Sequence, residues 1–153
     1  MHRYELVPEL KAWDAHNGDE ETPVGWVSCV GTFSLAVAYA SLVWPSFTEA
    51  RGMVFRGEAT EADVDSWLNS TNRDLKAVEA TLNHLHILDV QHPGIWNEAT
   101  ESQLRFIGQT LKASWAAKLA LDFPDRKFVV EFIQGSAENT REYQVLFYEQ
   151  REA

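Results

Sequence analysis

Residues 101–134, ESQLRFIGQTLKASWAAKLALDFPDRKFVVEFIQ, decide the fold, because the spacing of apolar side chains changes partway along them. The first part carries one apolar stripe at helical intervals, formed by Leu104, Ile107, Leu111 and Trp115. This stripe predicts a long helix that begins near 97–100 and ends at about Asp122, where Phe123-Pro124-Asp125 follows. The second part, KFVVEFIQ at 127–134, is rich in β-branched and aromatic residues and predicts a strand.

A second strand-like segment, EYQVLFYEQ at 142–150, follows after the turn-forming stretch GSAENT. Two such segments with a short polar connection predict an antiparallel hairpin at the C-terminal end of the sequence. GMVFRG at 52–57 is bracketed by glycines and is a candidate third strand for the same sheet.

Three further helices are predicted upstream of residue 101. LAVAYASLVW at 35–44 is apolar nearly all round, which is typical of a central buried helix. Thr60 with Asp63 is a helix start signal, and the helix should run through Leu68. Leu75, Val78, Leu82 and Leu85 predict a helix over about 73–88. We therefore expect an α+β fold in which about four helices pack on one face of a small antiparallel sheet.

Length and composition indicate one globular domain over residues 1–153, with 1–23 as an irregular N-terminal arm. The formal net charge of −10 disfavours direct binding to nucleic acid or to an anionic membrane surface, and it suits a basic protein partner. The uncharged stretch 22–48 is split at Gly31 and Thr32 into an extended piece and a helix, each too short to span a bilayer. The single cysteine, Cys29, is expected to be a buried hydrophobe in a cytoplasmic protein.

The stretch EATLNHLHILDVQH at 79–92 carries three of the five histidines. On the predicted helix, His84 lies opposite the apolar stripe and His86 lies at its edge, so the two imidazoles would not meet. No H-E-x-x-H pattern and no cysteine cluster is present, and we expect neither a metal site nor a cofactor. His86 is expected to be partly buried and hydrogen-bonded to a carboxylate or a carbonyl.

Lys118 and Asp122 fall four residues apart near the apolar stripe of the last helix. They can reach water at the helix end, form a buried pair, or line a pocket. In the pocket alternative, Glu79, Asn83, His86, Lys118 and Asp122 form one site. A small hydrolase or lyase would then use Glu79, His86 and Lys118 for acid–base chemistry. No phosphate loop, dinucleotide fingerprint or nucleophile elbow supports an enzyme.

Acidic stretches near aromatic residues supply the other candidate surface. Aromatic side chains are frequent energetic anchors of interfaces, and surrounding charge accelerates association with an oppositely charged protein. The candidate partner-binding residues are Trp13, Asp19, Glu20, Glu21, Glu61, Asp65 and Trp96.

The segments LVWPSF, NHLHILD, WAAKLALDFPDRKFVVEF and YQVLFYEQ, spread over roughly 30–150, resemble small uncharacterised bacterial proteins, some of which are immunity partners of polymorphic toxins. The resemblance implies a single α+β domain in the cytoplasm with an inhibitory binding role, and it carries over no functional residue. We therefore expect a non-enzymatic acidic protein that neutralises a basic toxin domain. A homo-oligomer and an assembly subunit remain open alternatives.

Overall fold

The computed structural model describes residues 3–18 and 20–151. Its contacts group the chain into two compact units, Met1–Ala40 and Ser41–Ala153. The fold is α+β, as the sequence predicts. In the described residues we count seven α-helices, more than the four expected, together with two small antiparallel sheets.

The first unit is helical where an irregular arm was expected. Its helices are α1 (Arg3–Leu6), α2 (Leu10–Asn17), α3 (Pro23–Val30) and the beginning of α4 (Phe33–Val43). The carboxylate of Asp14 joins α1 and α2, because it accepts hydrogen bonds from Tyr4 Oη at 2.7 Å and from Arg3 Nη2 at 2.5 Å. The backbone N–H of Glu21 also donates to Asp14. This hydrogen bond is the largest of the effects that lower the pKa of Asp14.

The second unit contains five strands and three further helices. In chain order they are β1 (Phe47–Ala50), β2 (Met53–Arg56), α5 (Glu61–Ser70), α6 (Leu75–Leu82), β3 (Leu85–His86), α7 (Glu101–Asp122), β4 (Phe128–Ile133) and β5 (Gln144–Glu149). The strands β1 and β2 form a hairpin by themselves. The other sheet has the order β3-β5-β4, with β4 and β5 paired from Phe128↔Glu149 to Ile133↔Gln144. The predicted C-terminal hairpin is therefore confirmed, whereas residues 53–56 do not join it.

The main core lies between α7 and the three-stranded sheet. Trp115 of α7 is fully buried and contacts Phe147 of β5 edge to face, with ring centroids 6.3 Å apart. Other buried members of this core are Val54, Ile87, Leu104, Leu111, Leu119 and Val145. A smaller core lies where α5 and α6 meet the opposite face of β2, with Met53, Phe55, Val64, Leu68 and Val78. Side chains alternate along a strand, so β2 contributes to both cores.

The helix starts follow the sequence signals. Thr100 and Gln103 form a reciprocal capping box at the start of α7, and the Thr60 hydroxyl caps α5 by accepting from Asp63 N–H. Gly108 in the middle of α7 allows the Phe132 ring of β4 to lie directly against the helix. The capping box thus sets where α7 begins, and the glycine allows α7 to pack closely on β4.

Three sequence predictions about the apolar stretch 22–48 are wrong. Residues Pro23–Val30 form a helix and not an extended piece, because Thr22 caps it and proline occupies its first turn. No residue of α4 is buried, and Phe33 is 94% exposed; the helix with a buried stripe in the main core is α7. Cys29 is exposed rather than buried. None of the described helices is both long enough and apolar enough to cross a membrane.

Candidate functional site

Two polar side chains near the end of α6 join the two sheets: Glu79 lies in the helix and Asn83 follows its last residue. We call Glu79 and Asn83 the polar bridge. Both are fully buried. On β2, Val54 N–H donates to Glu79 Oε1 at 3.1 Å, Arg56 N–H donates to Asn83 Oδ1 at 2.9 Å, and Asn83 Nδ2 donates to Val54 O at 2.8 Å. On β5, Glu149 N–H donates to Glu79 Oε2 at 3.0 Å. The polar bridge therefore satisfies backbone groups of both β2 and β5.

An ion-pair network extends from the polar bridge towards solvent. Arg151 donates to both oxygens of Glu79 and lies 2.7 Å from Glu149, which also pairs with Arg126 at 2.7 Å. The Arg126 guanidinium holds the pKa of the Glu149 carboxyl below its usual value. Hydrogen bonds from Arg151 to Glu79 and from Arg126 to Glu149 raise the pKa of each arginine. These shifts favour the charged forms of Glu149, Arg126 and Arg151 in the folded state.

The geometry gives Glu79 a structural role. Its two carboxylate oxygens accept four hydrogen bonds, two from backbone N–H groups and two from Arg151. Asn83 likewise uses its oxygen and its amide nitrogen on the backbone of β2 and β5. A general base needs a free lone pair within reach of the proton that it removes, and these contacts already occupy the Glu79 carboxylate.

The histidine prediction is partly wrong. The helix expected over 73–88 ends at Leu82, and Leu85–His86 instead forms β3 against β5. As a result, the rings of His84 and His86 lie edge to face with centroids 5.2 Å apart, so that they do meet. His86 Nδ1 is 2.6 Å from the carbonyl oxygen of Arg141, which confirms the expected carbonyl partner of a partly buried imidazole.

Lys118 and Asp122 pair with each other along the last turns of α7. Their side chains are 17% and 28% exposed, and the ammonium group of Lys118 also lies 5.9 Å from the centre of the Trp44 ring. Neither residue shares a hydrogen bond with Glu79, Asn83 or His86 in the described chain. Of the three alternatives for this pair, the observed arrangement is closest to an ion pair at the surface end of the helix.

A shallow cavity of about 500 Å³ lies beside the ion-pair network. It is lined by the start of α6, by the outer face of β4 and β5, and by Arg151. Lys76 of α6 lies over the Tyr148 ring, 4.3 Å from its centre, and the Tyr148 hydroxyl donates to Glu131. No group of three or more potential metal ligands occurs among residues 3–18 and 20–151.

The acidic candidates of the first unit lie around α3. Asp19 is outside the described residues. The Glu20 side chain is 89% exposed and lies 3.8 Å from Arg3, and Glu21 accepts a hydrogen bond from its neighbour Thr22. Trp13 of α2 is half-buried. Glu20 is therefore the most accessible of these side chains that the structure describes.

The acidic candidates of the second unit belong to a larger surface at the start of α5. Glu61 and Asp65 both pair with Arg51, Glu61 at 3.1 Å and Asp65 through two hydrogen bonds of 2.9 and 2.7 Å. The Arg51 side chain lowers the pKa of Asp65. Glu58 and Asp63 are also exposed. We call Glu58, Glu61, Asp63, Asp65 and Arg51 the α5 acidic surface; with four carboxylates and one guanidinium, its net charge is −3.

Trp67 is an aromatic residue that the sequence analysis missed. It is 40% exposed on α5, whereas Trp96 is half-buried, donates its indole N–H to Gln91 O and lies under Arg141. The signal was available, because Val64 and Leu68 define the buried face of α5 and Trp67 falls about 80° from that face at 100° per residue. The α5 acidic surface is thus followed on the same helix by an accessible indole.

Comparisons of the chain with protein-family models, with curated proteins and with solved structures find no match. The function proposed below therefore depends on the chemistry of the described residues.

Proposed function

We propose that this chain is a non-enzymatic acidic binding protein of the cytoplasm that neutralises a basic protein partner, such as the toxin domain of an immunity pair. The observation that carries the proposal is the α5 acidic surface, with the exposed Trp67 one turn after Asp63 on the same flank of the helix. An exposed indole can supply buried contact area at an interface, and the carboxylates at the start of α5 can attract a cationic partner.

The arrangement of charge on α5 supports this proposal. Arg51 orients Glu61 and Asp65. The surface keeps a net negative charge, because Glu58 and Asp63 have no basic residue among their side-chain contacts in the described chain. Fixed carboxylates lose less side-chain entropy when they bind a partner than freely rotating ones do. The overall charge of −10 adds a long-range attraction that raises the association rate at low ionic strength.

The test is an affinity capture followed by mass spectrometry and then by binding kinetics with the purified partner. We expect a captured protein of net positive charge, whose association rate falls as salt is added. Glu58→Lys/Glu61→Lys should abolish capture, and Trp67→Ala should weaken binding by at least about 2 kcal/mol if Trp67 is an interface anchor.

The matched control reverses two exposed acids elsewhere, Asp89→Lys/Glu98→Lys, which changes the net charge by the same amount. This control should keep most of the affinity. An equal loss of affinity in both double variants would show that the effect comes from the overall charge and not from the α5 acidic surface. Unchanged capture by Glu58→Lys/Glu61→Lys and by Trp67→Ala would refute the proposal.

A further inference from the structure

Arg56 places a positive charge beside the main core. It is the last residue of β2, and its side chain faces the same side as Val54, two residues earlier, which belongs to that core. Its guanidinium carbon lies 5.2 Å from the centre of the fully buried Trp115 ring. The residue opposite on β1 is Phe47, which packs against the same core. The surroundings of this half-buried cation are therefore aromatic and apolar.

No carboxylate of the described residues forms an ion pair with Arg56. Among residues 3–18 and 20–151, its Nε is the single buried side-chain nitrogen or oxygen without a hydrogen-bond partner. The described contacts of Arg56 are the backbone bond to Asn83 and the approach to Trp115. Burial lowers the pKa of Arg56, and no carboxylate opposes this effect. Arg126 and Arg151 show the reverse, since carboxylates raise the pKa of both.

An unpaired cation in this position is unusual for such an acidic protein. The chain has 23 acidic residues and 13 basic ones, and Arg3, Arg51, Arg105, Arg126 and Arg151 each pair with a carboxylate. Desolvating a charge without a partner is unfavourable. A buried polar group that the fold leaves unsatisfied calls for an explanation, and a bound ion is one of them.

We infer that the guanidinium of Arg56, held over Trp115, binds an oxyanion on a small molecule, namely a carboxylate or a phosphate group. A guanidinium presents two parallel N–H donors, which match two oxygens of either group. The aromatic and apolar surroundings strengthen such a charge-assisted bond because they exclude competing water. Arg56 is not a member of the α5 acidic surface, and the inference does not depend on the function proposed above.

The test follows the arginine Nε–H resonances of the full chain by NMR while sodium phosphate or sodium acetate is added. Sodium chloride at equal ionic strength serves as the reference. We expect a saturable shift of the Arg56 Nε–H signal with at least one of the two oxyanions and none with chloride. A response to acetate alone assigns the site to carboxylates, and a response to phosphate alone assigns it to phosphate groups. Absence of saturation below about 10 mM for both would overturn the inference.

Variants of Arg56 distinguish binding through the paired N–H donors of the guanidinium from binding through its positive charge alone. Binding should disappear in Arg56→Met and should fall at least tenfold in Arg56→Lys, which keeps the charge but loses the paired donors. Arg141→Met is the matched control, because Arg141 also lies over a tryptophan, Trp96 at 4.6 Å, but is exposed. Oxyanion binding that persists in Arg56→Met, or that is lost equally in Arg141→Met, would overturn the assignment. The titration of the unmodified chain decides the question even where a variant does not fold.

Discussion

Both terminal nitrogens of Arg151 donate to the Glu79 carboxylate, at 2.7 and 3.0 Å, and this carboxylate is fully buried in the second unit. The same two oxygens accept from the backbone N–H groups of Val54 and Glu149, which belong to different sheets. One side chain of α6 therefore connects the β1–β2 hairpin, the three-stranded sheet and the chain beyond β5.

Replacing Glu79 should strongly destabilise the protein. Glu79→Ala leaves two backbone N–H groups without acceptors and Arg151 without its buried partner. We expect the free energy of unfolding in urea to fall by about 3–5 kcal/mol. Glu98→Ala, at an exposed position, is the control and should change it by less than about 0.5 kcal/mol. A loss below about 1 kcal/mol for Glu79→Ala would show that the polar bridge contributes little to stability.

Stability should decrease in acid partly through Glu149. Its hydrogen bond from Arg126 lowers the pKa of the carboxyl in the folded state, so the folded protein holds this proton less tightly than the unfolded chain does. The contribution is complete above the ordinary glutamate pKa of about 4.3 and is lost as the pH falls through the lower folded value.

The corresponding experiment compares urea unfolding from about pH 7 to pH 2 for wild type, Glu149→Gln and Arg126→Met. Both variants should be less stable near neutrality and should lose less stability on acidification. If the free energy of unfolding of both variants fell with pH as steeply as that of the wild type, the ion pair between Glu149 and Arg126 would not contribute to the acid sensitivity.

Gly108→Ala should be destabilising although alanine favours helices. A Cβ at this position would overlap the Phe132 ring of β4. Overpacking should cost about 1–3 kcal/mol, and the gain in helix propensity should return about 1 kcal/mol, so we expect a net loss of up to about 2 kcal/mol. The double variant Gly108→Ala/Phe132→Leu should recover part of this loss, as a double-mutant cycle would measure. Greater stability of the single variant would mean that α7 and β4 can separate without cost.

The elements with long regular patterns could be predicted from the sequence. The stripe of α7 and the strand pattern of β4 and β5 are local properties of 101–150, and the structure has all three elements. The start of α5 was predicted because a capping threonine acts within one turn. Such signals need no knowledge of distant residues.

Features that depend on distant partners could not be predicted. The pattern Leu75, Val78, Leu82 and Leu85 continues the helical period past residue 82, but Leu85 pairs with Val145 in a strand instead. Glu79 finds Arg151 72 residues further along the chain, and no local spacing indicates that contact. The burial of Arg56 against Trp115 is equally non-local.

The polar bridge also restricts which insertions this fold tolerates. One residue added within Met53–Arg56 would turn the amide and carbonyl groups of β2 away from Glu79 and Asn83, and the turn at Arg51-Gly52 is also restricted, because the Gly52 carbonyl accepts a hydrogen bond from Arg126. Divergent homologues should accordingly keep a recognisable signature despite low overall identity. It consists of a β-hairpin of fixed length, a glutamate and an asparagine four positions apart at the end of the second helix after it, and an arginine two positions beyond the last strand.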